Sequence, residues 1–252
     1  MSRLDAENPN TAFQSIEQIS GLSRETICKL FDDFHHESNV VHGGSSFLHA
    51  LEKRCSKINH TETCWFHYTR NFTDQNYDAG LLPLHEVLDA LWIRLYDLAK
   101  PWISSSEWMG MRKEIEDEDN YSKGSVLYRG KIENNSCVQY GPYALLIYDI
   151  DCFNTPITQI NYLTDGSEMI YHICDFFQFR HGQDLFERYR QNTKPCIVKF
   201  FQIMNNRNDI GEVLAALYYR GKNQLDLYNI SLFPGRGIKV PGANVEKVIY
   251  LE

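Results

Sequence analysis

The chain has 252 residues, of which 43% are hydrophobic and 13% aromatic, enough for one large domain or two small ones with a filled core. A formal net charge of −8 excludes the broad basic surface of a protein that coats nucleic acid, but it is compatible with a narrow basic groove. The polar N-terminus MSRLDAENPNTAF, the lack of any apolar run of about 18 residues and the lack of a C-x-x-C pair among seven cysteines predict a cytosolic protein with reduced thiols and no membrane partner.

The first 120 residues predict mainly helices. Residues 13–33 have apolar side chains at helical spacing, and Ser23 followed by Glu25 has the pattern of a helix start. A short helix is predicted over residues 46–55, and alternating aromatic side chains predict a strand over residues 63–70. The apolar stripe from Leu84 to Ala99 predicts a helix that ends before Pro101. Residues 104–116 predict a further helix, and the acid run 116–119 predicts a solvated loop.

Beyond residue 120, short runs rich in β-branched and aromatic residues predict strands, and two longer runs predict helices. The predicted strands are SVLYRGKI, GPYALLIYDI, KPCIVKFFQI, VLAALYYRG, LYNISLF and VEKVIYL, and the predicted helices are SEMIYHICDFF and QDLFERYRQN. The sum predicts the α+β class, with a mostly antiparallel sheet that contains a helical insertion. We expect an N-terminal helical cap over residues 1–60 and one compact domain over residues 61–252.

Four consecutive residues at the end of the strand over 63–70 carry an imidazole, a phenol, a hydroxyl and a guanidinium: His67, Tyr68, Thr69 and Arg70. Successive side chains of a strand point to opposite faces, but where a strand passes into a loop both sets can converge on the rim of a cleft. The same residues fit a buried histidine and an arginine that closes the next loop. Residue types alone leave the two interpretations open.

Metal and thiol chemistry have less support in the sequence. His60, Cys64 and His67 form an H-x3-C-x2-H pattern, but zinc sites favour two close pairs, and alternation along a strand would separate Cys64 from His67. We therefore predict no metal site. Cys196 lies in an apolar strand and is expected in the core, and the G-x-S-x-G, P-loop and G-x-G-x-x-G motifs are absent.

Several motifs, in order along the chain, resemble the ADP-ribosyltransferase fold of poly-ADP-ribose polymerases and DarT-type bacterial toxins. His67, Thr69, Arg70, Gly80 and Leu81 match a first strand that ends in a pattern like F-H-G/F-T-R and is followed by G-L. GPYALLI at 141–147 is similar to a second NAD-lining strand, and residues 232–251 are similar to the closing strands. The chain also resembles, over about residues 62–251, a group of bacterial proteins that share HFTR, GLLPL, GPYA and PCIVKF, a resemblance that brings no function with it.

The resemblance implies an ADP-ribosyltransferase-like split sheet with NAD as cofactor. The NAD-binding residues that it implies are His67, Thr69, Arg70, Lys131, Gly141 and Tyr143. The catalytic residues that it implies are His67, a tyrosine and an acid. Tyr128 is the first choice for the tyrosine, with Tyr140 and Tyr143 as alternatives, and Glu212 at the start of a predicted strand is the first choice for the acid, with Glu168 and Asp226 as alternatives.

Six basic residues on the predicted sheet and its loops indicate a local basic groove: Arg129, Lys131, Arg220, Lys222, Arg236 and Lys239. Together with nearby aromatic residues, such a groove favours a nucleic-acid acceptor, RNA or single-stranded DNA, and a protein acceptor fits almost as well. The resemblance implies a bacterial toxin of phage defence or of a toxin–antitoxin system, with an antitoxin protein and a chaperone as further partners. Two alternatives are a metal-independent nuclease toxin that uses His67, Tyr128 and Lys131, and an inactive module that binds a nucleotide or a partner.

Overall fold

The computed structural model describes residues 2–35, 43–133, 141–148, 162–203, 206–225, 232–233, 235 and 237–251. In these ranges the helices are α1 Pro9–Ser20, α2 Arg24–His35, α3 Gly44–Glu52, α4 Leu84–Ala99, α5 Ser105–Glu116, α6 Lys123–Ile132, α7 Tyr162–Asp165, α8 Glu168–His181, α9 Leu185–Gln191 and α10 Asn208–Gly221. The strands are β1 Arg3–Leu4, β2 Glu62–Phe72, β3 Ala144–Leu145, β4 Thr193–Ile203, β5 Leu232–Phe233 and β6 Val245–Tyr250. None of the helices in these ranges has the length and apolar character needed to cross a membrane.

The strands form a mixed sheet in the order β5-β3-β2-β4-β6. Strand β3 runs antiparallel to β2, where Phe66 lies opposite Leu145, and antiparallel to β5, where Ala144 lies opposite Phe233. Strand β1 instead runs parallel to the start of β2. The predicted α+β class is confirmed, and strands β2, β4 and β6 lie where the sequence predicts them.

Local signals explain why the helices of the first half begin and end where they do. Ser104 caps α5: its hydroxyl accepts from the backbone N–H of Glu107 at 3.3 Å, and the Glu107 carboxylate accepts from the backbone N–H of Ser104 at 2.8 Å. Ser23 caps α2 in the same way through its hydroxyl. The predicted helical stretch 13–33 is divided into two helices at Gly21, whose φ of 72° is the left-handed conformation of a helix C-terminus.

Two predicted strands are wrong, because SVLYRGKI lies in α6 and VLAALYYRG lies in α10. Short apolar runs of this kind fit a buried helix as well as a strand. Helix α10 is buried on most of its circumference, so its sequence lacks the polar face that would have revealed helical spacing. The Ala-Ala-Leu segment at its centre also has high intrinsic helix propensity.

The chain divides into two compact units, each made of separate stretches of sequence. The first unit contains residues 1–67, 144–156 and 199–233, and the second contains residues 68–143, 157–198 and 234–252. Strands β2 and β4 have residues in both units. The boundary expected at residue 60 does not coincide with this division, since residues 1–60 share their unit with later strands and with α10.

In the first unit, α3 packs closely on α10 through glycine. A Cβ added to Gly211 would lie 2.1 Å from the carbonyl oxygen of Gly44, so this contact excludes any larger residue. Beside it, the ring of Tyr218 lies 5.2 Å from that of Phe47 and 5.7 Å from that of Phe31. Aromatic rings at these separations stabilise a helix interface beyond the area that they bury.

In the second unit, helices α4, α5, α6, α8 and α9 share one aromatic core. The Trp92 ring lies 5.0 Å from Trp108 and 6.1 Å from Tyr128, both in edge-to-face geometry. Leu95, Ile115, Ile173 and Phe177 complete this core and are fully buried. The core therefore fixes the positions of α6 and α8, which carry the polar residues described below.

One buried charge ties the N-terminal segment to the sheet of the first unit. Lys199 of β4 is 4% exposed, and its Nζ donates to the carboxylates of Asp5 and Glu7, the latter at 3.0 Å. Burial by itself would lower the pKa of Lys199, but the hydrogen bonds to Asp5 and Glu7 outweigh burial and raise it. Lys199 is therefore a buried, fully charged ammonium that depends on two acids of the N-terminal segment.

Replacing both acids with their amides, Asp5→Asn with Glu7→Gln, is expected to lower the free energy of unfolding by about 3–5 kcal/mol, because the buried Lys199 ammonium then loses the two carboxylates that accept its hydrogen bonds. Urea unfolding measures the change. Asp33→Asn, which removes an exposed partner of Arg54, is the control and should change stability by less than about 1 kcal/mol. Adding Lys199→Met to the double variant should recover most of the loss, and a triple variant as unstable as the double would contradict this role of the charge.

Candidate functional site

The residues that the motif places at the end of the first strand lie on β2. His67, Thr69 and Arg70 are half-buried, whereas Tyr68 between them is buried. His67 belongs to the first unit, and Thr69 and Arg70 belong to the second. The predicted strand is thus confirmed, and the predicted roles of His67 and Thr69 in ligand binding remain predictions.

Arg70 links three segments of the second unit. Among the described residues it makes four hydrogen bonds: Nε donates to Thr193 Oγ1 at 3.0 Å, Nη1 to the carbonyl of Leu163 at 2.7 Å, and Nη2 to the carbonyls of Arg190 and Thr193 at 3.0 and 2.8 Å. These bonds engage four of the five N–H groups of a guanidinium. In this arrangement Arg70 holds β2 against α7 and the start of β4, which matches the loop-closing interpretation of the sequence.

The Gly80-Leu81 motif meets the C-terminal V-P-G segment within the second unit. Leu81 and Val240 exchange backbone hydrogen bonds of 3.0 and 2.9 Å. Gly80 has a φ of 89°, and a Cβ on it would lie 1.8 Å from the carbonyl oxygen of Val240, so only glycine fits. Two motifs that are far apart in the sequence therefore form one backbone contact, which explains the glycine without a ligand.

Tyr128, the first choice for the catalytic tyrosine, lies in the aromatic core of the second unit. Its side chain is 0% exposed, and its hydroxyl accepts from Trp92 Nε1 and donates to Glu116 Oε1, both at 3.0 Å. Burial, opposed by the bond from Trp92 and reinforced by the charge of Glu116, raises the pKa of Tyr128. Both hydrogen-bonding functions of the phenol are thus engaged inside the protein, and no face of Tyr128 is open to a ligand.

Lys131, by contrast, meets one of the candidate acids. Its Nζ contacts the carboxylate of Glu168, the first residue of α8, and the two side chains are 28% and 30% exposed. The ion pair is therefore partly buried but open to solvent on one side. Because Lys131 lies in the last turn of α6, the packing of α6 on α8 sets this contact.

Two tyrosines of the second unit lie within the electrostatic influence of Glu168. Burial first, and the negative charge of Glu168 second, raise the pKa of Tyr143, a residue implied to bind NAD. The same causes, with a smaller contribution from Tyr143, raise the pKa of Tyr162 to about 12. Both phenols stay protonated at neutral pH and can donate hydrogen bonds.

His172 completes this group of residues. It lies one helical turn after Glu168 on the same face of α8, it is 6% exposed, and within the described residues its Nδ1 has no hydrogen-bond partner. Burial lowers the pKa of His172; the negative charge of Glu168 partly offsets this shift, and the positive charge of Lys131 adds to it. The imidazole is therefore neutral at pH 7. We call Lys131, Tyr143, Tyr162, Glu168 and His172 the Glu168 cluster.

The cluster combines residues that the sequence singled out with residues that it did not. Lys131, Tyr143 and Glu168 were predicted candidates, whereas Tyr162 and His172 were missed. The spacing Glu168-x3-His172 in a predicted helix was a usable signal, since residues four apart share one face. Nothing in the local sequence around Tyr162 relates it to the cluster.

Glu212, the first choice for the acid, lies inside α10 of the first unit and not at a strand start. Its carboxyl group packs on the backbone of Gly44, because a Cβ on Gly44 would come within 2.6 Å of it, and burial raises the pKa of Glu212. Tyr140, Asp226 and Arg236, which were further candidates, lie outside the described residues.

His60, the first residue of the H-x3-C-x2-H pattern, takes part in a hydrogen-bond network of the first unit. His60 Nε2 lies 2.9 Å from Thr63 Oγ1, and Thr63 Oγ1 donates to Asp209 Oδ2 at 3.3 Å. Asn206 donates to the other carboxylate oxygen of Asp209 at 2.7 Å. Within the described parts of the chain, His60, Cys64 and His67 do not form a group with the ligand spacing of a metal site. Cys196 is fully buried in β4, as its apolar surroundings predicted.

Of the six basic residues predicted to form a groove on the sheet, four lie on helices or at their ends, Lys239 lies in a loop of the second unit, and Arg236 is outside the described residues. The groove therefore stays a prediction. Arg129 and Lys131 lie in α6 of the second unit, and Arg220 and Lys222 lie at the end of α10 in the first unit. Arg129 is 8% exposed and donates to the carbonyl of Asn120 at 2.9 Å and to Ser125 Oγ at 2.6 Å, so it closes the acidic loop.

Comparisons with protein-family models, with curated proteins and with solved structures gave no match to this chain. The resemblance to ADP-ribosyltransferases therefore rests on the motif residues alone. The Glu168 cluster brings a carboxylate, an ammonium, two phenols and a neutral imidazole together in the second unit.

Arg70→Lys is expected to lower the free energy of unfolding by about 2–4 kcal/mol, because an ammonium cannot reach the three carbonyls that the guanidinium fork satisfies. Thermal and urea unfolding measure the loss. Arg94→Lys, at an exposed arginine that pairs with Asp74 at 2.7 Å, is the matched control and should change stability by less than about 1 kcal/mol. Equal effects of the two substitutions would show that the contacts of Arg70 do not stabilise the fold.

Asp209→Asn is expected to change how stability depends on pH. Burial, partly offset by the bonds from Thr63 and Asn206, raises the pKa of Asp209 from 3.8 to about 6. Wild type therefore loses stability as the pH rises from about 4 to above 6, by on the order of 3 kcal/mol from this group, and the amide does not. Urea unfolding between pH 4 and 7 should show that the free energy of unfolding of Asp209→Asn rises relative to that of wild type as the pH rises. Asp32→Asn, at an exposed position, should show the same pH dependence as wild type. A constant difference across this range would contradict the buried charge.

Proposed function

We propose that this protein is an NAD-dependent ADP-ribosyltransferase whose reacting carboxylate is Glu168. The observation that carries the proposal is the Glu168 cluster, where one carboxylate, partly open to solvent, contacts a lysine and acts electrostatically on two protonated tyrosines. The motif residues on β2 and at 141–147 support it by their resemblance to the family. Glu168 replaces Glu212 as the preferred acid because Glu212 packs on the backbone of Gly44.

The residues of the cluster fit the parts of NAD by their chemistry. A carboxylate stabilises the positive charge that develops on a ribose when its bond to nicotinamide breaks, which is the role we assign to Glu168. An ammonium binds phosphate oxygens, the role of Lys131. The rings of Tyr143 and Tyr162 offer flat surfaces for the nicotinamide, and their hydroxyls can donate to its amide. When bound, NAD supplies the ADP-ribosyl group and the leaving nicotinamide.

Some of the other residues that the resemblance implies keep their roles in this proposal, and two do not. The roles of His67, Thr69 and Gly141 remain those that the resemblance implies. Arg70 is not assigned to the diphosphate, because its donors are engaged with Thr193 and with backbone carbonyls. Tyr128 is not assigned to the reaction, because its hydroxyl is engaged with Trp92 and Glu116.

We extend the proposal to the acceptor and the biological role that the sequence indicates. The acceptor is nucleic acid, with RNA favoured over DNA and over protein. Tyr171, which is 39% exposed on α8 next to His172, adds an aromatic surface on which a base can stack. The biological role is that of a cytoplasmic bacterial toxin in phage defence or in a toxin–antitoxin system, with an antitoxin and a chaperone as partners.

A second candidate function is metal-independent cleavage of RNA at the same cluster. The observation that favours it is the His172 imidazole, kept neutral by burial one helical turn from Glu168, together with the Lys131 ammonium, since a neutral imidazole can act as a base and a cation can bind the phosphate. It differs from the sequence-based alternative, which used Tyr128 and His67. The two functions separate in one assay, because cleavage needs RNA but no NAD.

Incubation with NAD labelled in the ADP-ribosyl part, together with RNA, single-stranded DNA or cell lysate, tests the proposal. We expect transfer of label, and we expect Glu168→Gln to reduce the rate by at least about 100-fold while Glu212→Gln keeps a rate near that of wild type. Far-UV circular dichroism checks that each variant is folded. Lys100→Met, at an exposed lysine that pairs with Asp97, is the surface control.

Each possible outcome of this assay has one meaning. Loss of activity in Glu212→Gln with activity retained in Glu168→Gln would assign the acid to α10 and contradict our choice. RNA cleaved in the presence of EDTA and without NAD would favour the nuclease. No label transfer and no loss of NAD by folded wild type would reject the transferase.

A further inference from the structure

In the Glu168 cluster, Lys131 contacts a carboxylate and is also partly exposed to solvent. Lys131 and Glu168 contact each other, and about 30% of each side chain is exposed. An anion that arrives from solvent can therefore reach the ammonium, but it must compete with Glu168 for it. Whatever binds Lys131 leaves the Glu168 carboxylate with less of its counter-charge.

His172 is the titratable group that such an exchange would affect most. Among the described residues, the charged groups that act electrostatically on its pKa are Glu168 and Asp175 on α8 and Lys131 and Lys123 on α6. In the part of the chain that the structure describes, the buried Nδ1 of His172 lacks a hydrogen-bond partner. A buried polar atom without a partner is unfavourable, so any change that supplies one is favoured.

We propose that Lys131 binds a phosphate-bearing ligand and that His172 takes up a proton as this ligand binds. The ligand neutralises the positive charge of Lys131 and adds its own negative charge, and Glu168 turns from its ammonium partner to the nearest donor. All three changes favour the imidazolium, which carries an N–H on both ring nitrogens and can donate one to the Glu168 carboxylate. The proton comes from solvent, and no covalent bond to the ligand forms or breaks.

The choice of an ADP-ribosyl ligand rests on the proposed function, whereas the proton uptake rests on the charges of the cluster. Linkage then gives the sign of the pH dependence. A site that takes up a proton on binding binds more tightly as the pH falls, by up to about tenfold per pH unit for one full proton. Binding should therefore become tighter as the pH is lowered from 8 to 6, because the pH then approaches the ordinary pKa of histidine, about 6.5.

Isothermal titration calorimetry with ADP-ribose tests the inference, because the diphosphate of ADP-ribose does not titrate between pH 6 and pH 8. Titrations at one pH in two buffers with different ionisation enthalpies count the protons taken up. We expect wild type to take up a measurable fraction of one proton and its dissociation constant to fall several-fold from pH 8 to pH 6. Sulfate, which does not titrate in this range either, tests whether the anion alone is sufficient.

Variants assign the effect to its residues. His172→Gln should still bind ADP-ribose but without proton uptake and with a flat pH profile. Lys131→Met should weaken binding strongly, whereas Lys100→Met, in the exposed pair with Asp97 at 3.2 Å, should bind and take up protons as wild type does. Circular dichroism confirms folding, and wild type that binds without taking up a proton overturns the inference whether or not a variant folds.

Binding by wild type without proton uptake, an unchanged pH profile in His172→Gln, or no binding of either ADP-ribose or sulfate would overturn the inference. The transferase proposal is decided separately by NAD turnover. A protein that binds ADP-ribose with proton uptake but never consumes NAD would support the inference and reject the transferase. Turnover of NAD with no proton uptake on binding would support the transferase and reject the inference.

Discussion

The need to compensate buried charge determines how each unit of this protein is arranged. In the first unit the Lys199 ammonium lies inside the sheet, and it is tolerated because the N-terminal segment supplies two carboxylates. In the second unit the Arg70 guanidinium is compensated by three carbonyls and a hydroxyl, and Arg129 by the carbonyls of an acidic loop. In each case one charged group joins segments that are far apart in the sequence or separated by a loop.

The same requirement distinguishes the Glu168 cluster from these structural networks. Lys199 and Arg70 are surrounded by partners that belong to the fold, so a ligand has to displace the structure to reach them. Lys131 has one charged partner and an exposed side, and His172 behind it carries an unpartnered nitrogen among the residues that the structure describes. Groups that are buried but incompletely compensated are typical of sites that bind ligands or catalyse reactions. This contrast is the physical basis for assigning function to the cluster and not to the more conspicuous Arg70.

Part of the motif that resembles an NAD-binding strand has a structural role. The H-Y-T-R sequence was predicted either to line a cleft or to close a loop, and its arginine closes a loop. Gly80 and Leu81, which completed the motif, are explained by close backbone packing against Val240. What the structure contributes toward a function is the Glu168 cluster, in which three residues already implied by the resemblance (Lys131, Tyr143 and Glu168) come together with Tyr162 and His172.

Local sequence by itself determined the α+β class and most of the elements. Helix α4 has the bounds that its apolar stripe predicts, α5 begins at its capping box, and β2, β4 and β6 follow their alternating or apolar runs, since periodicity and caps are interactions between residues close in sequence. The strand prediction for α10 was wrong because burial on most sides removes the periodicity that identifies a helix. The strand prediction for α6 was wrong because Val126 and Leu127 are exposed and Arg129 is buried, so its apolar residues do not mark the buried face. The compensation of Lys199 by the N-terminal segment and the assembly of the Glu168 cluster were decided only by tertiary packing. These contacts join residues far apart along the chain, and no local pattern specifies which buried charge meets which partner.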